Sequence, residues 1–401
     1  MAGIILVGAG QAGASCAAKL RNEGYDGEIT LIGEEPVPPY QRPPLSKAYL
    51  LGEMPLERLY LRPESYYAEA NISLRVDTRV TGIDRAHRRV HLGDAALSYD
   101  SLVLATGSVP RHLPPELGGD LEGVFVVRTL ADVDAMAPEI APGARALIVG
   151  GGYIGLEAAA VCAKRGMNVT LCEAGDRILN RVAAEETSDY FRQVHVGHDV
   201  AIREATGLEA LTGSTRVEAA RLTDGTTLTV DVVIVGIGIK PATTLAEAAG
   251  LRLENGIATD AFGRTSDPHI YAAGDCASFP WQGQQMRLES VGHAIDQAEL
   301  VARNILGANE EYMPKPWFWS DQYDVKLQIA GLMSGYTRIV TRGAAPNVSF
   351  WYFADDRLIA VDALNDPRGY MVGKRLIEAG RSPAPDAIAD PETDLKSLLK
   401  G

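Results

Sequence analysis

The chain has 401 residues, which is enough for two or three domains of ordinary size. Its formal net charge is −14, so it lacks the basic field that nucleic acid or an anionic membrane would require. No apolar run approaches the length of a membrane span, and we therefore expect no nucleic-acid partner and no membrane partner.

The chain begins with an apolar strand, residues 3–7, that runs directly into the motif G-x-G-x-x-G. In this motif Gly8 allows a sharp turn, Gly10 lets a pyrophosphate approach the backbone, and Gly13 lets the next helix lie close to the strand. The start of that helix offers unpaired N–H groups and a partial positive charge to an anion. The segment therefore predicts a dinucleotide site.

A second apolar strand, residues 28–32, is followed by Glu34, which lies 21 residues after Gly13. An acid at this distance is typical of the group that accepts a hydrogen bond from an adenosine ribose. Because strand, glycines, helix, strand and acid occur in order, we favour dinucleotide binding over glycines that serve packing alone.

The same unit occurs a second time, and the offset from Gly8 to Gly150 is 142 residues. Residues 146–149 form the apolar strand, and a second strand, residues 168–172, ends at an acid. This offset indicates a duplicated domain rather than a short repeat, so two dinucleotides are implied. The residues expected to line the second site are Gly150, Gly152, Tyr153, Ile154, Gly155, Glu173 and Gly238.

The segment of residues 40–47 lies between the two units and contains two adjacent prolines. They keep the backbone out of a helix until Ser46 can cap a short one. Arg42 and Lys47 are the cations of this segment. From spacing alone, Lys47 is as readily a solvated surface lysine as a functional group.

Two further strands end near places where a cofactor could lie. Residues 265–275 predict a short strand that delivers Asp275 to its carboxyl end, where open α/β sheets bind ligands. An aspartate of a plain turn is an equal alternative. Residues 101–104 form a buried strand that ends in a turn of small residues, namely Ala105, Thr106 and Gly107.

The remaining segments predict further helices and strands, and the sequence pattern changes near residue 314. Beyond that point, segments with β-like alternation are followed by a helix near residues 370–378, which indicates a separate α+β domain. The other predicted elements are a helix at 63–71, β segments at 74–80 and 89–97, a linker at 110–119, and a helix from about residue 290 to residue 305.

The four cysteines show neither a C-x-x-C pair nor metal-ligand spacing. Cys16 and Cys162 fall in the two motif helices and Cys172 in a strand, so we interpret them as small buried apolar groups; Cys276 is the fourth cysteine, and we expect no metal site. Their placement excludes the disulfide chemistry of flavin enzymes that need a cysteine pair. The glycine motif begins so near Met1 that no leader is expected, which predicts a cytoplasmic location.

These motifs together resemble the oxygenase-coupled NADH-dependent ferredoxin reductases of the putidaredoxin reductase type. The likeness covers nearly the whole chain, and it is most specific in Arg-Pro-Pro-Leu-Ser-Lys at 42–47 and Trp-Phe-Trp-Ser-Asp-Gln at 317–322. The resemblance implies an α/β fold with two Rossmann-like domains, as in glutathione reductase, and a C-terminal α+β domain covering the flavin. The implied domains are FAD-binding at 1–109 and 236–315, NAD-binding at 110–235, and C-terminal at 316–401.

The resemblance also implies roles for individual residues. Lys47 is expected beside flavin N5 and paired with Glu157, and these two are the expected catalytic residues. Trp319 is expected near the exposed flavin edge. The pyrophosphate of FAD is expected at Ala12 and the neighbouring glycines, and the ribose at Glu34. The other expected FAD contacts are Arg42, Val80, Ala105, Thr106, Gly107, Arg128, Asp275 and Val291.

The implied chemistry is transfer of a hydride from NADH to FAD, followed by release of single electrons to a two-iron two-sulfur ferredoxin. This chemistry needs alignment and a tuned flavin rather than a general base. Glu173 is expected to favour NADH, because its carboxylate would repel a 2′-phosphate, and Arg177 could soften that preference. Glu299 departs from the resemblance, since the putidaredoxin type has an arginine there.

Productive docking of an acidic ferredoxin would require a local cationic patch. Candidate residues for the patch are Arg111, Arg287, Lys315 and Lys326. Other acceptors, such as rubredoxin, a quinone or monodehydroascorbate, remain alternatives. So does a flavin-binding signalling module resembling apoptosis-inducing factor. No C-terminal helix pattern suggests a large obligate dimer, so we expect a monomer or a weak dimer.

Overall fold

The computed structural model describes residues 3–400, so the outermost ends of the predicted domains, at residues 1, 2 and 401, lie outside the described residues. The helices are α1 (Gln11–Asn22), α2 (Glu64–Glu69), α3 (Leu130–Met136), α4 (Tyr153–Lys164), α5 (Glu185–Val196), α6 (Thr244–Ala248), α7 (Val291–Ile305), α8 (Pro367–Glu378) and α9 (Pro385–Ala389). Short 3₁₀ turns lie at Pro43–Ser46, Leu56–Arg58, Pro115–Leu117, Ala137–Glu139 and Leu395–Leu399.

The strands of the first half are β1 (Gly3–Val7), β2 (Ile29–Ile32), β3 (Ile72–Arg75), β4 (Gly82–Asp84), β5 (Arg89–Leu92), β6 (Ala95–Leu104), β7 (Ser108–Pro110), β8 (Val124–Phe125), β9 (Arg145–Val149), β10 (Asn168–Cys172), β11 (Ala201–Arg203) and β12 (Leu208–Thr212). Those of the second half are β13 (Ala219–Leu222), β14 (Thr227–Thr229), β15 (Val232–Val235), β16 (Ile239–Pro241), β17 (Ile257–Ala258), β18 (Ile270–Ala272), β19 (Ala277–Trp281), β20 (Gln284–Met286), β21 (Trp317–Gln322), β22 (Val325–Gly331), β23 (Arg338–Ala344), β24 (Asn347–Ala354) and β25 (Arg357–Leu364).

The described chain divides into two compact units. Unit 1 contains the residues up to Arg42 together with Pro55–Val109 and Ile239–Pro314, and unit 2 contains Pro43–Met54, Pro110–Gly238 and the residues from Lys315 onward. The short segment that carries Lys47 therefore belongs to unit 2. The three-domain division expected from the sequence stays a prediction.

Unit 1 is built on a sheet with the strand order β3-β2-β1-β6-β5-β4, in which β18 also pairs with β6. Strands β1, β2, β3, β6 and β18 run parallel. All five residues of β1 are buried, as expected for a parallel strand covered on both faces. One face packs under α1 and α7, where Ala17, Leu31 and Val301 belong to one apolar cluster.

Unit 2 contains a second parallel sheet, with the order β11-β10-β9-β15-β8. Val149 at the end of β9 is level with Cys172 of β10 and Val235 of β15. The turns that follow these strands therefore share one edge of the sheet, where α/β proteins bind ligands. The residues from Lys315 onward form the antiparallel sheet β21-β22-β25-β24-β23, against which α8 packs.

Two local expectations differ from the structure. The predicted β segment at 74–80 ends early, because β3 stops at Arg75 and Asp77 takes a left-handed backbone with φ 48°. Ser46 does not cap a helix; it lies at the end of the 3₁₀ turn Pro43–Ser46, and its hydroxyl contacts Glu157 instead. The prolines exclude an α-helix here, as expected.

Candidate functional site

The first glycine motif combines two tightly packed glycines with one open glycine. A Cβ on Gly8, whose φ is +112°, would lie 2.1 Å from the carbonyl oxygen of Ala105, and a Cβ on Gly13 would lie 2.0 Å from that of Gly8. A Cβ on Gly10 would meet no atom within 4 Å. Packing thus requires the outer glycines, while the middle glycine borders open space that a pyrophosphate could enter.

The second motif repeats this arrangement. A Cβ on Gly150, whose φ is +104°, would lie 2.5 Å from the carbonyl oxygen of Gly236, and one on Gly155 would lie 2.0 Å from that of Gly150. A Cβ on Gly152 would meet nothing within 4 Å. We call each of these glycine turns, with its open middle glycine, a backbone cradle. The chain therefore contains two cradles of the same construction, one around Gly10 and one around Gly152.

Both cradles also leave helix N–H groups available. Helix α1 begins after Gly10 and α4 after Gly152, and neither N-cap residue makes a side-chain capping bond. The first N–H groups of an α-helix have no partner within the helix, so they can bind the anionic oxygens of a pyrophosphate. The residues present fit two dinucleotides on this test.

The acids that follow the two motifs are held differently. The Glu173 carboxylate accepts hydrogen bonds from the backbone N–H of Gly151 at 2.6 Å and of Gly175 at 2.7 Å. These two hydrogen bonds hold the turn beside the second glycine motif in place. The Glu34 side chain is 66% exposed and pairs with Arg79 at 3.1 Å, so it stays accessible to a ribose.

Other expected FAD contacts in unit 1 lie in well-defined surroundings. The Arg42 guanidinium donates to Glu35 at 2.6 Å and to the Tyr40 hydroxyl at 2.8 Å. The Thr106 hydroxyl donates to the carbonyl of Ala242 at 2.6 Å. These bonds order the loop that follows β2 and the turn that follows β6.

Asp275 follows β18 and is partly buried. Its carboxylate accepts a hydrogen bond from the Ser108 hydroxyl at 3.0 Å. Helix α7 is capped by Ser290, whose hydroxyl accepts from the N–H of His293 at 3.2 Å. The cap leaves the N–H of Val291 without an intrahelical partner, as at any helix start.

Three buried side-chain nitrogens in this part of unit 1 have no hydrogen-bond partner among residues 3–400: Arg287 Nε, His293 Nε2 and Gln297 Nε2. Buried polar groups are normally paired, so unpaired atoms at a binding region indicate a missing ligand or water. Gln297 is fully buried, and its carbonyl oxygen accepts from the N–H of Gly274 at 2.9 Å. Sequence reasoning missed Gln297, although an amide on the buried face of an amphipathic helix was a usable signal.

Lys47 and Glu157 form a close ion pair within unit 2. Lys47 Nζ lies 2.6 Å from Glu157 Oε2, and Glu157 is 2% exposed. Lys47 also donates to the carbonyl of Pro43 at 3.1 Å. The 3₁₀ turn and β21 both pack against α4, which is how residues 110 positions apart in sequence meet.

Two serines that the sequence did not reveal complete the surroundings of Glu157. The Ser46 hydroxyl donates to Oε2 and the Ser320 hydroxyl to Oε1, each at 2.6 Å. Both serines are buried. The buried carboxylate therefore accepts three hydrogen bonds, which fix its position.

Aromatic residues surround the start of α4. Tyr153 packs on Phe318 with 4.7 Å between ring centroids, and Trp319 stacks on Trp317 at 5.4 Å. The Tyr153 hydroxyl is buried without a hydrogen-bond partner. Burial raises the pKa of this phenol well above its usual value, and the charges of Asp362 and Glu157 add to the effect.

The expected site residues fall into two groups. Those in unit 1 are Gly8, Gly10, Ala12, Gly13, Glu34, Arg42, Val80, Ala105, Thr106, Gly107, Asp275 and Val291. Those in unit 2 are Lys47, Arg128, Gly150, Gly152, Tyr153, Ile154, Gly155, Glu157, Glu173, Gly238 and Trp319. Within unit 2 the expected pair of Lys47 and Glu157 is brought together.

The cysteines are all buried and unpaired. Burial raises the pKa of the Cys162 and Cys172 thiols to about 12 and also raises the pKa of Cys16 and Cys276. Thiols of this kind do not form thiolates at neutral pH. The interpretation of the cysteines as small packing groups agrees with this burial.

Two cations are placed differently from the expectation. Arg287 is not a surface cation, because its side chain is 11% exposed and pairs with Glu289, so it is a wrong candidate for a docking patch. Arg177 is engaged with the Ser188 hydroxyl and with the carbonyls of Ala183 and Ala184. Its guanidinium is therefore committed to the protein rather than offered to a nucleotide.

Asp362 is a buried carboxylic acid of unit 2 whose pKa differs from its ordinary value. Its carboxylate accepts from the hydroxyls of Tyr352 at 2.6 Å and Thr187 at 2.7 Å. Burial raises the pKa of Asp362 to about 6, from the ordinary 3.8. Because the folded state favours the protonated acid, this stabilisation is complete below the unfolded pKa and is lost as pH rises through about 6.

We therefore expect a pH-dependent difference between the wild type and Asp362→Asn. The free energy of unfolding of the wild type, minus that of the variant, should fall by roughly 2–3 kcal/mol between about pH 4 and pH 7. Urea denaturation at each pH measures it. Because the variant keeps the same buried histidines, their contributions to the pH dependence cancel in this difference. A difference that stays flat or rises with pH would contradict the raised pKa of Asp362.

The chain matches two protein-family models. Residues 2–298 match the pyridine nucleotide-disulphide oxidoreductase family model and residues 317–399 match the Reductase C-terminal model. The chain therefore belongs to the pyridine nucleotide-disulphide oxidoreductase family. The predicted class of enzyme, an oxidoreductase, is confirmed, and so are the α/β fold class and the expectation of FAD and a nicotinamide nucleotide as cofactors.

Within that family the chain is similar to ferredoxin reductases. A ferredoxin–NAD(P)+ reductase of Sphingomonas is 45% identical over 404 residues, covering 99% of this chain and 97% of the relative. The solved complex of putidaredoxin reductase with putidaredoxin matches with a TM-score of 0.96 at 40% identity, covering 100% and 98% of the two chains. The ferredoxin reductase for the CYP199A2 system of Rhodopseudomonas palustris matches with the same TM-score at 37% identity, covering 99% of each.

These matches confirm the resemblance to the putidaredoxin reductase type. They also bear out the prediction of a ferredoxin reductase, since the matched relatives are a ferredoxin–NAD(P)+ reductase, a putidaredoxin reductase and a second ferredoxin reductase. Across residues 3–400, no helix is both long enough and apolar enough to cross a membrane.

Proposed function

We propose that this protein takes a hydride from NADH and passes the electrons one at a time to a two-iron two-sulfur ferredoxin that serves a monooxygenase or a dioxygenase. The observation that carries the proposal is the pair of matching backbone cradles, open at Gly10 and at Gly152. One chain with two such cradles can hold an electron donor and a second carrier together. Bound FAD would supply the conversion of a two-electron donor into single-electron transfers.

In this proposal the unit 1 cradle holds FAD. The N–H groups after Gly10 bind its pyrophosphate, Glu34 accepts from its ribose, and Asp275 binds its ribityl chain. The unpaired nitrogens of Arg287 and Gln297 supply further donors for the ligand or its waters. The unit 2 cradle, with Gly152, Tyr153, Ile154 and Gly238, holds NADH.

Lys47 and Glu157 are proposed to position the nicotinamide for transfer. The ammonium group is fixed at 2.6 Å from a buried carboxylate, so it presents a positive charge at a defined place. Such fixed charges act at full strength where water is excluded. No residue is needed as a general base, since a hydride carries its own electron pair.

Glu173 is proposed to set the preference for NADH. Both of its oxygens already accept a backbone N–H, and each retains a lone pair for a ribose hydroxyl. A 2′-phosphate would meet the carboxylate, and Arg177 is bound elsewhere. The expected result is therefore a strong preference for NADH over NADPH.

The predicted effect of Glu173→Gln is a fall of about 10- to 100-fold in kcat/KM for NADH, the cost of a hydrogen bond to a charged group, with a smaller change for NADPH. Steady-state kinetics with both nucleotides measures it. Glu209→Gln is the control, because Glu209 is an exposed acid of the same unit that pairs with Arg221. Comparable wild-type efficiency with NADPH would refute the assignment.

The acceptor is tested by comparing reduction rates for a two-iron ferredoxin, a rubredoxin and a quinone at low and high salt. Arg111, Lys315 and Lys326 are exposed members of the proposed docking patch. We expect the ferredoxin to react fastest and to slow with rising ionic strength. If NADH-reduced flavin stayed reduced with every iron–sulfur protein, the signalling alternative would be favoured.

A cytoplasmic location and a monomer or weak dimer stay predictions.

A further inference from the structure

A row of hydrogen-bonded polar side chains runs through unit 2 and ends on Glu157. His195 Nε2 lies 2.7 Å from Gln322 Oε1, and Gln322 Nε2 lies 3.1 Å from the Ser320 hydroxyl. The Ser320 hydroxyl in turn lies 2.6 Å from Glu157 Oε1. At the far end, the Tyr323 hydroxyl lies 3.4 Å from His195 Nδ1. We call this set the His195–Glu157 row.

The chemistry of the groups gives the row one direction. A carboxylate can only accept, so the Ser320 hydroxyl must donate to Glu157 Oε1. The serine oxygen then accepts from the Gln322 NH₂ group, which turns the Gln322 carbonyl toward His195. His195 Nε2 must therefore carry a proton, and in the neutral ring Nδ1 can accept from Tyr323.

The interior members of the row have little contact with water. Glu157 is 2% exposed, Gln322 is 1% exposed, and Ser320 and His195 are fully buried. Burial lowers the pKa of His195 to about 4, which keeps the imidazole neutral near pH 7. Aligned hydrogen bonds in such surroundings polarise one another and strengthen the last bond of the row.

We propose that Ser320, Gln322 and His195 are positioning residues for the Lys47–Glu157 pair. They fix the rotamer of the Glu157 carboxylate through the Ser320 hydroxyl, and the carboxylate fixes the ammonium of Lys47. The row ties that ammonium to β21 and to α5, which lie 138 or more residues away in sequence from Lys47. The inference rests on the proposed function of Lys47 and Glu157 in hydride transfer.

The direction of the row is tested by nitrogen NMR of the FAD-loaded protein labelled with ¹⁵N-histidine, with His195→Gln used to assign the signal. At pH 7 the proposal predicts the Nε2–H tautomer for His195. An Nδ1–H tautomer would overturn it, because Nε2 would then have no proton to donate to the Gln322 carbonyl. This readout does not depend on turnover.

The effect on positioning is tested by anaerobic stopped-flow reduction of the flavin with NADH. Ser320→Ala should lower the limiting rate about 10-fold or more, as expected for loss of a hydrogen bond to a charged group, with the Kd for NADH little changed. Reduction by dithionite, which needs no nicotinamide, should proceed as in the wild type. Ser320→Thr keeps a hydroxyl and should recover most of the NADH rate.

Ser349→Ala is the matched control. Ser349 is a fully buried serine of the same antiparallel sheet, and its hydroxyl bonds Asp366 and Trp351 instead of Glu157. We expect this variant to lose stability and keep the NADH rate. A Ser320→Ala protein that keeps the wild-type rate, or a Ser349→Ala protein that slows equally, would overturn the inference. Failure of NADH to reduce the wild-type flavin would instead overturn the proposed function.

Discussion

Lys47→Ala is expected to lower the limiting rate of flavin reduction by NADH by about 100-fold, the scale of loss when reacting groups are misplaced by about 1 Å. The substitution removes the cation that pairs with Glu157 and leaves a carboxylate that is 2% exposed with only hydroxyl donors. Stopped-flow absorbance of the flavin under anaerobic conditions measures the rate. Lys164→Ala, which removes an exposed lysine of α4, should leave it unchanged.

The same variant should also lose about 3 kcal/mol of stability, because removing one partner of a buried ion pair leaves an uncompensated charge. The double variant Lys47→Met, Glu157→Gln removes both charges and should recover most of that stability. It should not recover the rate. If the double variant reduced its flavin as fast as the wild type, the pair would be structural and the proposed role of Lys47 would be wrong.

Gly152→Ala is expected to weaken NADH binding by about 100-fold while leaving the chain folded and FAD bound. The backbone at Gly152 has φ −78°, which alanine adopts freely, and the new methyl group would meet no protein atom within 4 Å. The methyl group would occupy the space proposed for the pyrophosphate. NADH binding would then be weakened by steric crowding and by the loss of hydrogen bonds to the phosphates. Titration of the charge-transfer or fluorescence signal with NADH gives the Kd.

Matched glycine variants separate ligand effects from folding effects. Gly10→Ala should give a folded protein that does not retain FAD, and Gly155→Ala should fail to fold, since its Cβ would lie 2.0 Å from a carbonyl oxygen. Gly207→Ala is the control, because its Cβ would make only an ordinary contact at 3.4 Å. Normal NADH affinity in Gly152→Ala would show that the second cradle does not bind the nucleotide.

The cradles could be predicted from the sequence because their physical requirements are local. Because a sharp turn at Gly8, open space at Gly10 and close packing at Gly13 all arise within a few residues, the motif alone predicts them. The acids that follow could be predicted for the same reason. Their different surroundings could not, since the bond from Gly151 to Glu173 depends on how two strands are aligned.

The surroundings of Glu157 depend on contacts that leave no local signal. Ser46 and Ser320 lie 111 and 163 positions from Glu157 in sequence, and a lone serine in a strand or a turn is ordinary. The Lys47–Glu157 pair itself came from a family resemblance rather than from spacing. Only the packing of α4 against β21 and the 3₁₀ turn brings these groups to one carboxylate.

Surface charge was the least predictable property. Arg287 and Lys326 each stand between two apolar residues in the sequence, yet the Arg287 side chain is 11% exposed and paired while Lys326 is exposed. The difference arises from the neighbouring Glu289 and from the fold around Asp275, whose carbonyl accepts from Arg287 at 3.2 Å. A list of cations in a sequence therefore overstates the docking surface.

The central claim is that one chain holds FAD and NADH so that a hydride enters and single electrons leave. Anaerobic titration of the purified protein with NADH, followed by addition of an oxidised two-iron ferredoxin, tests it most directly. We expect one NADH to bleach the flavin absorbance and two ferredoxins per flavin to restore it, since each accepts one electron. A colourless protein that takes up no flavin, or a reduced flavin that ferredoxin does not reoxidise, would contradict the claim.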